Sequence, residues 1–180
     1  MSEHFPALLV VVPLMLAPLA ALSNRPRAAF AMALAGCWWA FYASLMLLGR
    51  VRSEGVISYA LGAWAPPYGI ELRVDLVNAF VAVTVATIGA VVIPYAWTSV
   101  KKEITEDRIP LFYTAFLLML SGLLGITVTG DVFNVFVFLE ISSLSAYSMI
   151  AMGQDRRALT STFQYLIMGS VGATFIVIGI

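Results

Sequence analysis

The chain predicts an all-α polytopic membrane protein of about six transmembrane helices, N-terminus outside, with a short external β-hairpin between helices two and three. Three observations carry this. Hydrophobic residues make up 61% of the 180 residues and charged ones 11%, against roughly 45–50% and 25% in an ordinary soluble domain. Apolar runs recur, each near the twenty residues needed to cross a hydrocarbon core about 30 Å thick. The basic residues between those runs fall mostly on one side.

The predicted spans are Phe5–Leu22, Ala28–Leu48, Leu76–Trp97, Leu111–Thr129, Val132–Met152 and Thr160–Ile180. The start, Met1-Ser-Glu-His4, lacks the positive region of a cleavable signal, so the first run reads as a membrane helix. His4 lies outside it and reads as a solvated terminal residue without a role. Pro13, Pro18 and Pro94 fall within spans, where local kinks are expected because neighbours can re-satisfy the freed backbone groups. With the N-terminus outside, the inner loops Ser23–Arg27, 98–110 and Gly153–Leu159 hold Arg25, Arg27, Lys101, Lys102, Arg108, Arg156 and Arg157. Arg50, Arg52 and Arg73 stay on the other side.

The longest loop, 49–75, is then external. Its Pro66-Pro67 break precedes an alternation of Ile70, Leu72 and Val74 with Glu71 and Arg73, which reads as a short strand with one face packed down. Asp75 stands directly before the third span and is placed to cap it. In the sixth span Gly169 and Ala173 form a small-xxx-small pair suited to close helix approach. Gln164 reads equally as lining a wet path or as making one interhelical hydrogen bond.

The fifth span carries the one residue that its composition does not explain. Glu140 lies nine residues beyond Asp131, roughly 13 Å deep at 1.5 Å per residue, near the midplane. A charge there costs on the order of 3 kcal/mol or more, and such residues are functional by default. On a helix Glu140 shares a face with Phe136, Val137, Ser143, Leu144 and Tyr147. Ser143 and Tyr147 are placed to bond the carboxyl or hold water beside it, whereas Ser142 and Ser145 point toward a packed neighbour. A carboxyl balanced between burial and a nearby cation can take up and release a proton, which is what a relay requires. The bland alternative is a protonated Glu pinning two helices. No other Asp, Glu, His, Lys or Arg lies inside the six predicted spans, and no Lys follows Lys102. A charged partner is expected from another polypeptide or from a continuation of the chain, and the apolar ending at Ile180 favours a continuation.

Thr129-Gly-Asp-Val-Phe-Asn-Val-Phe-Val-Phe-Leu-Glu140 resembles the motif of the antiporter subunits shared by Mrp-type Na+/H+ antiporters and respiratory complex I. Leu61-Gly-Ala-Trp-Ala-Pro-Pro-Tyr-Gly-Ile-Glu-Leu-Arg-Val-Asp75 resembles the external hairpin of the D branch of the Mrp group, and Tyr165-Leu-Ile-Met-Gly-Ser170 is also similar to the family. The resemblance is collinear and covers essentially the whole chain. It implies a fourteen-helix fold with two inverted five-helix repeats. Of this, residues 1–97 form three leading helices, 98–110 an inner loop and 111–180 the first three helices of the first repeat. It further implies that Glu140 is the helix-five carboxylate that pairs with a lysine on helix seven.

The functions so implied are the D subunit of a Na+/H+ antiporter, moving protons through a half-channel, or the equivalent subunit of an NADH:quinone oxidoreductase or membrane-bound hydrogenase. A non-conducting structural subunit, or a truncated fragment, is the alternative of another class. Implied partners are other membrane subunits of a multi-subunit complex in the cell (inner) membrane, the lipid bilayer, protons and Na+. Equal counts of ten basic and ten acidic residues give no basic excess for nucleic acid. With no nucleophile–base pair, metal-ligand cluster or phosphate loop in the sequence, the expectation is a transporter subunit without cofactor or metal rather than an enzyme. The single cysteine, Cys37, reads as a small core residue.

Overall fold

The computed structural model describes residues 4–23, 25–64, 69–153 and 156–180. Six helices follow one another: α1 (Phe5–Leu22), α2 (Pro26–Glu54), α3 (Leu76–Glu103), α4 (Ile109–Val128), α5 (Val132–Ala151) and α6 (Arg156–Gly179). All six are long and apolar enough to cross a membrane. Strands β1 (Ile57–Ala60) and β2 (Glu71–Val74) lie between α2 and α3 and pair antiparallel, Ile57 opposite Val74 and Ala60 opposite Glu71.

Packing explains the order of the bundle. Helix α4 sits at its centre, against α1, α2, α3 and α5, while α6 packs mainly on α5. In the most apolar window of each helix 56% of α4 is buried, against 17% of α5 and 6% of α6. The buried stripes of α2 (Ala29, Ala33, Gly36, Cys37, Ala40, Ala43) and α3 (Ala79, Ala82, Ala86, Gly89, Ala90) are small residues. Without a hydrophobic drive between helices in lipid, association depends on van der Waals contact, and small side chains let backbones approach closely. Cys37 is fully buried in this core.

The prolines leave carbonyls without their helical donors, yet α1 and α3 each run through theirs as one helix. Neighbouring helices also donate into the backbone of α1, at carbonyls other than those of Leu9 and Leu14 that Pro13 and Pro18 deprive: Trp39 Nε1 to the Leu8 carbonyl at 3.2 Å, Ser121 Oγ to Val10 at 3.0 Å and Thr114 Oγ1 to Ala17 at 3.2 Å. Interhelical bonds of this kind contribute about 0.6 kcal/mol each on average.

The hairpin follows the alternation in the sequence. Leu72 and Val74 are buried and Arg73 exposed between them. Ile70 departs from the expectation: it precedes β2 and is exposed, although its carbonyl accepts the Leu61 N–H at 2.9 Å. Asp75 caps α3, its carboxylate accepting the Asn78 N–H at 2.8 Å. The Pro66-Pro67 break lies outside the described residues.

Helices α2 and α3 continue past the expected limits, to Glu54 and Glu103, so the segment between α3 and α4 is shorter than 98–110. Hydropathy ends at the membrane edge, but Arg, Lys and Glu are good helix formers and the helix continues through them. An Arg50–Glu54 ion pair of 2.7 Å and Lys101 stacked 4.3 Å from the Trp97 ring occupy these extensions. His4, expected to be a solvated terminal residue without a role, is exposed and also reaches the hairpin. Its Nδ1 lies 2.9 Å from the Tyr59 hydroxyl, and the rings meet edge to face. The α1 N-terminus and the hairpin therefore share one end of the bundle, and the Phe30–Trp97 and Phe30–Tyr113 ring contacts close the other.

Candidate functional site

Two devices place Glu140. The first starts α5: Asp131 caps it, accepting the Phe133 N–H at 3.1 Å. The second fixes its rotation against α4. A Cβ added at Gly122 would lie 2.7 Å from the Phe138 carbonyl oxygen and 2.8 Å from the Ser142 nitrogen, and one at Gly125 would enter the Phe138 ring. The glycines form a notch that seats Phe138 and Ser142, so Asn134, Ser142 and Ser145 are buried. The hydroxyls of both serines donate back into their own helix, Ser142 to Leu139 at 2.9 Å and Ser145 to Ile141 at 2.6 Å.

With that face turned to α4, Glu140 turns toward α6. It is half-buried and opens into a cleft of about 340 Å³ lined by Phe136, Ser170, Ala173, Thr174, Val177 and Ile178. Among the described residues it has no hydrogen-bond partner and no ion pair. The Thr174 hydroxyl donates to the Ser170 carbonyl at 2.7 Å, which leaves its oxygen free to accept. Glu140, Ser170 and Thr174 are the polar residues lining an otherwise apolar cleft.

The other predicted residues are placed as follows. Ser143 and Tyr147 lie half-buried on α5, and neither bonds the Glu140 carboxyl. Tyr147 stacks on Tyr165 of α6, ring centroids 6.2 Å apart, with its hydroxyl against Gly169. Gly169 and Ala173 thus face α5, and Ala173 is buried. Gln164 is exposed on α6 and makes no hydrogen bond among the described residues. Ser170 and Thr174, one turn apart, are the site residues that sequence reasoning did not assign; the polar pair at i,i+4 was their signal. No group of metal-ligating side chains occurs among the described residues.

No family model matches the chain. The N subunit of the NADH-quinone oxidoreductase of Desulforudis audaxviator is 39% identical over the whole chain, which covers 36% of that relative. The D subunit of the Na(+)/H(+) antiporter of Bacillus subtilis is 31% identical over 75% of the chain and 27% of the relative. A chain of the Mrp complex from a Dietzia species superposes with a TM-score of 0.87 over 99% of this chain and 33% of its own length, at 22% identity, which shows the fold. The chain is homologous to the N-terminal part of the antiporter-like membrane subunits represented by the Mrp D subunit and the complex I N subunit. It spans about a third of the length of the curated relatives it matches.

Proposed function

We propose that this chain forms part of the proton-translocating, antiporter-like D subunit of a multi-subunit Na+/H+ antiporter in the cell membrane, N-terminus outside, with Glu140 as a proton relay. The observation that carries this is the half-buried carboxylate in the middle of α5, opening into the cleft beside Ser170 and Thr174. Holding a charge there costs several kcal/mol and stabilises nothing visible among the described residues. A residue retained at that cost is accounted for by proton exchange. The remaining subunits would supply the driving chemistry, and any charged partner of Glu140 would come from outside these 180 residues.

A second reading has a specific observation behind it. The 39% identity over the whole chain is to a subunit of an NADH-quinone oxidoreductase, and this supports a redox-driven complex with the same proton path. The two readings separate in proteoliposomes holding the full-length protein in its assembled complex. Antiport predicts lumenal pH change on imposing a Na+ gradient; the redox reading predicts it on adding NADH and quinone. A complex that moves protons under neither drive would leave a structural role.

A further inference from the structure

We infer that strand β2 of the hairpin clasps the α4–α5 junction and sets the depth at which α5, and so Glu140, sits in the bundle, with Gly130 as the positioning residue. The clasp is main-chain. Leu72 bridges antiparallel to Thr129, and the Gly130 N–H donates to the Glu71 carbonyl at 2.9 Å. The junction thereby joins the hairpin as a rudimentary third strand. The fit is close: a Cβ on Gly130 would lie 3.2 Å from Arg73 Cβ and 3.3 Å from the Glu71 oxygen.

The hairpin itself is anchored elsewhere. Leu72 and Val74 are buried, the Asn78 side chain donates to the Arg73 carbonyl at 3.0 Å, and Tyr59 meets His4 at the start of α1. β2 is therefore fixed to the α1 and α3 ends before it reaches α5.

Among the described residues no side-chain hydrogen bond ties α5 to a neighbouring helix. The Ser142, Ser145 and Ser148 hydroxyls all bond carbonyls of α5 itself, in contrast to α1, which receives three bonds from neighbouring helices. The glycine notch of α4 seats the middle of α5, and the clasp seats its entry. A residue nine positions past the cap on a rigid helix moves with that entry. The consequence for transport rests on the relay role proposed for Glu140; the position of α5 does not.

The test uses the full-length protein in its assembled complex, in liposomes, with Cys37→Ala as background. Arg73→Cys combined with Gly130→Cys places two thiols near disulfide spacing and locks the clasp on oxidation; Gly130→Val wedges it open. Two quantities are read: amide exchange over residues 131–136, and the pH profile of proton flux. The wedge is expected to raise exchange at least tenfold and to displace the pH profile, while the oxidised pair matches its parent in both. Gly130→Ala, which displaces Arg73 by only a few tenths of an ångström, gives a smaller rise in the same direction and serves if the valine variant does not assemble. Unchanged exchange overturns the clasp. Raised exchange with an unmoved pH profile overturns the positioning of Glu140, and loss of flux in the locked pair overturns a clasp that stays closed. A parent complex without proton flux refutes the relay, and exchange alone then decides the clasp.

Discussion

Gly122→Ala is the substitution whose effect follows most directly from the packing of α5 on α4. The added methyl would sit 2.7 Å from the Phe138 carbonyl oxygen, 2.8 Å from the Ser142 nitrogen and 2.9 Å from Ser142 Cβ, where ordinary contact begins at 3.4 Å. Two of the three atoms are backbone, so no rotamer change relieves the clash. Helix α5 must retreat by about 0.7 Å, loosening Phe138 over Gly125 as well. Overpacking of this kind costs about 1–3 kcal/mol. Alanine is also the better helix former by up to about 1 kcal/mol, which partly offsets the loss. Gly49→Ala supplies the control, because nothing lies within 4 Å of a Cβ there and the same propensity gain applies. Equilibrium unfolding of both variants in mixed detergent micelles should place Gly122→Ala at least 1 kcal/mol below Gly49→Ala. Equal stabilities would mean that α5 does not pack on α4 through this notch.

Three further outcomes follow from the same contacts. Asp75→Ala removes the cap of α3 and should lower stability by about 0.5–2 kcal/mol in the same unfolding measurement, with Asp75→Asn recovering most of it. Ser121→Ala deletes the buried bond to the Val10 carbonyl and should cost about 0.6 kcal/mol, within the range for interhelical bonds; a stabilised variant would show that bond to be without worth. Ala173→Phe places a ring in the cleft beside Glu140 and should reduce proton flux of the reconstituted complex at least tenfold, whereas Ala173→Ser should leave it near the parent rate.

How far the sequence could be read depended on whether the signal was local. Six apolar runs, the alternation of Leu72 and Val74 and the Asp75 cap are encoded within a few residues, and each is present in the structure. Ser142 and Ser145 on the face opposite Glu140 were legible from the helical period, and both are buried. Helix ends were not, because hydropathy reports the membrane edge while α2 and α3 continue in charged residues. The His4–Tyr59 contact joins residues 55 apart, and the Leu72–Thr129 bridge is a main-chain pairing with no side-chain signature. The cleft was half-legible. Glu140 announces itself by cost, but its facing wall of Ser170 and Thr174 depends on how α5 rotates on α4, which the glycines of another helix decide.

That wall matters only if Glu140 carries protons. The most direct measurement is proton flux through proteoliposomes of the full-length protein in its complex, comparing Glu140 with Glu140→Gln, which keeps shape and hydrogen bonding but cannot ionise. A relay predicts a fall of about 10²-fold or more, with partial activity in Glu140→Asp and no loss of assembly. Flux at the parent rate in Glu140→Gln would contradict it, leaving Glu140 a residue that joins helices.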